Sequence, residues 1–162
     1  MQVDEVAILD LASSELEFFR SLKKLILQSA ELINSENMEE LMLVLEEKQA
    51  MISRYEVFLE EWNNIGVSLC IEDGCDNTEF WTLLLQTLSS ESSEKSPFYV
   101  KLKSLLLQTK TLTEELVNTE NCSQEVLNEY IKNLRGRISQ VSKGRNACKG
   151  YASANGSFIS DH

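Results

Sequence analysis

Catalysis needs reactive side chains brought together, and this sequence offers few. Its single histidine is the final residue, His162. A His-based nucleophile, acid–base pair or metal triad would have to be assembled on a chain end, so none is expected. Four cysteines, Cys70, Cys75, Cys122 and Cys148, lack the second Cys/His pair that would complete a zinc tetrahedron, and they read as reduced thiols of a cytoplasmic protein. Carboxylates pair at Glu39/Glu40, Glu46/Glu47 and Glu60/Glu61, where they could act as general acid and base. They fall between apolar heptad positions, so a solvated outer helix face is the better reading. Glycine-rich phosphate loops are absent, as are the repeated Glu-x-x-His motifs of di-iron bundles. No catalytic residue, metal or cofactor is expected, and the chain does not read as an enzyme.

The spread of charge narrows the partners. The net charge is −11 over 162 residues. Residues 1–65 carry 14 acids against 5 bases, and residues 120–162 carry 4 against 6. An acidic bulk disfavours nucleic acid, which is held by clustered Lys and Arg. No stretch approaches the roughly 20 apolar residues of a membrane span. The start, Met1-Gln2-Val3-Asp4-Glu5, has no basic and then apolar run, so no signal peptide is expected.

The elements that could carry a function are helices. One proline and six glycines punctuate the whole chain, which implies few and long segments. In the first, Leu11, Phe18, Leu25 and Leu32 form one heptad row beside Ala12, Phe19, Ile26 and Ile33. In the second, Met38, Leu41, Leu45, Lys48, Ile52, Tyr55, Leu59 and Trp62 alternate steps of three and four. That spacing predicts lengthwise packing on a neighbouring helix. Asn37 with Glu40 reads as an N-cap with its third-position carboxylate, and the short turn makes the pair antiparallel. The fold expected is all-α: an elongated antiparallel hairpin or bundle with coiled-coil-like packing, a long C-terminal helix and a flexible C-terminal tail. Helices are expected over about 4–33, 38–64, 78–89 and 97–145, in a single domain 1–146, with the tail at 147–162. Gly66 to Asn77 reads as a loop, and Ser89 to Ser96 as a mobile Ser/Glu-rich stretch. Ser96 caps the helix that Pro97 opens. A break near Asn121 is the alternative to one long last helix.

Several residues have two readings. Lys48 interrupts the second stripe, either as a snorkelling or register-fixing cation or as a specificity point for a partner's carboxylate. Trp62, Phe80 and Trp81 either close the end of a bundle or anchor a partner. The first helix has two adjacent rows, and the second adds Val44, Met51, Phe58 and Ile65, more width than two helices need. Either a third helix covers the surplus or a groove stays open for a partner helix. From Lys132 to Tyr151 there are six cations and no acid. These either favour the helix C-terminus or form a docking site for an acidic partner. The candidate partner-binding stripe is Val126, Tyr130, Leu134, Ile138 and Val141, on the last helix beyond a polar waist.

The arrangement Leu41-x3-Leu45-Glu46-Glu47-Lys48-Gln49-x2-Ile52 after a long first helix resembles the FlgN/FliT-like flagellar export chaperones. So does the last helix running into Gly144-Arg145-Asn146-Ala147-Cys148-Lys149-Gly150-Tyr151, with Phe158-Ile159 in the tail. The resemblance implies a cytoplasmic chaperone of flagellar type III secretion. Its client would be a hook-associated-type subunit, held by the subunit's C-terminal helix before export, and components of the export apparatus would be further partners. It implies no catalytic residues. Residues 66–96, with Cys70 and Cys75, depart from that pattern. The competing reading is a self-associating structural coiled-coil protein that buries its apolar rows between copies.

Overall fold

In the computed structural model, which describes residues 4–71, 77–91 and 96–156, four helices follow one another. They are α1 (Glu5–Asn34), α2 (Met38–Ser68), α3 (Asn77–Glu91) and α4 (Pro97–Gly156), and no strand occurs among the described residues. Cys75, His162 and Phe158-Ile159 lie outside them.

Local chemistry starts and stops each helix. The Asp4 carboxylate accepts the Ala7 N–H at 3.1 Å and caps α1. Asn37 accepts the Glu40 N–H at 3.4 Å, as expected, whereas the Glu40 carboxylate accepts from the Asn37 side-chain amide at 2.9 Å. The Asn37 backbone N–H is already engaged, donating to Leu32 O at 3.1 Å. Together with Glu36 N–H to Ile33 O at 3.2 Å, that bond closes α1 in a Schellman turn. Glu36 pays for it with a left-handed φ of 57°. The same motif ends α2, with Ile71 N–H to Gly66 O at 2.9 Å and Cys70 at φ 57°. Ser96 caps α4 through Tyr99 N–H at 3.1 Å.

Three boundaries differ from the sequence reading. Helix α2 continues through Gly66 to Ser68, because Gly66 serves packing rather than a turn: a Cβ there would lie 2.9 Å from Phe80 Cε2. Helix α3 runs on to Glu91. Helix α4 passes Asn121 unbroken and carries on from Arg145 to Gly156, through residues expected to begin the tail.

The chain falls into two units, divided between Ser123 and Gln124, where the sequence suggests one domain over 1–146. The reason is burial. Up to Ser123, α4 contributes the buried Leu102, Leu106, Thr109 and Leu116, and beyond it none of the described residues is buried. The first unit's main core joins Ile8, Leu11 and Ala12 of α1, Trp62 of α2, Leu84 and Leu88 of α3, and Phe98, Tyr99, Leu102 and Leu106 of α4. Apolar burial of this kind is the dominant favourable term in folding.

A candidate partner-binding surface

Helix α1 uses nearly all of its apolar width. Its two rows supply Leu11, Ala12, Leu25, Ile26 and Ile33 to the interior, with Phe18 and Phe19 half-buried. On one side Phe18 and Phe19 meet Tyr55 and Phe58 of α2, with ring centroids 5.2–5.6 Å apart. On the other side Lys23 reaches Glu115 of α4 at 2.7 Å. Leu102 and Leu106 of α4 share the core with Ile8, Leu11 and Ala12, so a third helix covers part of the surplus.

Helix α2 is rotated relative to the expected stripe. Its inward face is Leu41, Val44, Lys48, Met51, Tyr55, Phe58 and Trp62, a composite of the two rows. Ile52 and Leu59 remain 43% and 44% exposed. Lys48 points to α4, where its Nζ lies 2.5 Å from Glu120 Oε1. Its carboxylate partner is thus within the chain. Trp62 is buried, 5.2 Å from Trp81 and 6.3 Å from Phe80 between centroids, so these aromatics close the bundle end. The carboxylate pairs at 39/40, 46/47 and 60/61 are all exposed.

The sequence reading missed Glu15. This carboxylate is 1% exposed and accepts from Tyr55 Oη at 2.9 Å and from Trp62 Nε1 at 2.8 Å. Burial pushes its pKa up, and the bonds from Trp62 and Tyr55 offset part of that shift. Burial likewise raises the Tyr55 phenol, helped by the Glu15 charge and by the hydrogen bond to it. With both oxygens engaged inside the bundle, Glu15 holds α1 to α2. One signal was available: Glu15 lies between Leu11, Ala12, Phe18 and Phe19, on the apolar face itself.

Openings remain in the first unit, two of them lined by apolar side chains of α1, α2 and α4. One, of about 370 Å³, is walled by Glu15, Phe19, Tyr55, Trp81, Leu85 and Leu106, with Lys103 and Lys110 at its edge. The other, of about 440 Å³, is lined by Phe19, Leu22, Ile26, Ile52, Leu116 and Val117 and also by the Lys48–Glu120 pair. Phe19 belongs to both.

The expected partner stripe lies in the second unit. Val126 and Tyr130 are half-buried, and Leu134, Ile138 and Val141 are 42%, 61% and 57% exposed. They share one face of α4, and a shallow hollow there is lined by Arg137, Ile138, Val141, Ser142 and Arg145. Cys70, Cys122 and Cys148 are exposed free thiols, and among the described residues no cluster of His, Cys, Asp or Glu could hold a metal ion. No helix among them is long and apolar enough to cross a membrane. No protein-family model, curated protein or solved structure matches the chain.

Proposed function

We propose that this protein is a cytoplasmic export chaperone that holds an amphipathic helix of a client protein. The observation that carries the reading is the exposure of Leu134, Ile138 and Val141 together on one face of α4. Contiguous apolar surface left in water is what an interaction face presents. A client helix laid along them would bury what the chain itself leaves in water. The resemblance to the FlgN/FliT-like chaperones supplies the client class: the C-terminal helix of a hook-associated-type flagellar subunit.

Sedimentation of the purified chain, alone and with C-terminal segments of hook-associated subunits, tests this. The expected result is a complex with a client segment. A tight homo-oligomer that ignores every segment would favour a structural coiled-coil role.

A further inference from the structure

The second unit carries a more regular seam than the stripe alone. Leu127, Ile131, Leu134, Ile138 and Val141 alternate steps of four and three, the spacing of lengthwise helix pairing. Ile131 is 38% exposed, so the seam is open from Ile131 to Val141, with Leu127 at its start half-buried. It extends about 21 Å at 1.5 Å per residue. Arg135 and Arg137 take the positions that flank such a seam on its two sides, and Arg145 occupies the next seam position after Val141. From Tyr130 to Gly156 there are six cations and no carboxylate, all six cations are exposed, and none forms an ion pair among the described residues.

We infer that the occupant of this seam is an amphipathic helix of another protein with acidic residues flanking its apolar stripe. The inference rests on reading this face as the docking site, and it adds the chemistry of the partner. Flanking charges set partner choice in paired helices, because like charges repel across the seam and opposite ones attract. A second copy of the same seam would bring two cationic faces together with no carboxylate to offset them. An acidic helix instead completes both the apolar and the charged pattern.

The test uses the full chain and two synthetic helical peptides about three heptads long. Both carry the same Leu/Ile seam; one has Glu at the flanking positions and the other Lys. At low salt the Glu peptide should bind at least about ten-fold more tightly than the Lys peptide, an advantage that shrinks as salt screens the flanks. An R135E/R137E variant should reverse the preference. Equal binding of both peptides, abolished by L134S/I138S, would overturn the acidic partner while leaving the docking face standing. Binding of neither peptide would sink both. A concentration-dependent dimer of the free chain that is broken by L134S/I138S would make the second copy the occupant and also overturn the inference.

Discussion

A carboxylate sealed between α1 and α2 restricts how those helices can meet, since Glu15 must find both Tyr55 and Trp62. Replacing it by Ala leaves a buried O–H and N–H without an acceptor, at about 1–3 kcal/mol for each group left unpaired. The sign of its pH dependence follows from the raised pKa. Glu15 binds its proton more tightly in the folded chain, so its contribution is fully present below the ordinary value of 4.5 and is lost as pH rises through the folded value. Glu15→Gln does not titrate, so its melting temperature should gain on the wild type from about pH 4 to pH 7. A difference that stays constant across that window would contradict a raised carboxyl. Gly66 is the second constraint. Gly66→Ala gains about 1 kcal/mol of helix propensity but overpacks Phe80, which Trp62 backs, at about 1–3 kcal/mol. A net loss in denaturant midpoint is expected. Glu36→Gly, at an exposed left-handed position, should instead stabilise by up to about 1 kcal/mol.

Among the elements, α2 shows what the sequence can and cannot convey. Its helical period was legible because apolar residues recur at steps of three and four. Its rotation was not, because two adjacent rows are both apolar, and only α1 and α4 decide which one faces inward. Leu59, expected inside, is exposed, while Val44 from the second row is buried. Gly66 read as a turn because a sequence cannot tell a glycine needed for close approach from one needed for a positive φ. The candidate stripe on α4 was legible as apolar spacing; whether its side chains are buried or exposed was not, since the spacing is the same in either case. Lys48 was legible as an anomaly, but not its partner, 72 residues away. Removing the lysine leaves Glu120 Oε1 without its ion-pair partner, while Oε2 is already buried with no hydrogen-bond partner among the described residues. Lys48→Met should cost about 1 kcal/mol, and adding Glu120→Leu should recover most of it. A double variant no more stable than Lys48→Met would deny the coupling.

At the scale of the whole chain, the division at Ser123 separates a packed bundle from a helical segment with no buried side chain among its described residues. Local opening is easiest where buried apolar contacts are fewest. Backbone amides of 98–123 should therefore resist hydrogen exchange longer than those of 124–156 in the free chain, and a helix docked as proposed should protect the latter. Affinity and stability measured on one variant decide whether the α4 face is an interaction surface or core. Leu134→Ser/Ile138→Ser, titrated with the C-terminal segment of a hook-associated subunit, should bind more weakly than wild type by more than about 1 kcal/mol. Its melting temperature should stay unchanged. Unchanged affinity with a lowered melting temperature would place these side chains in a core and rule out docking on this face.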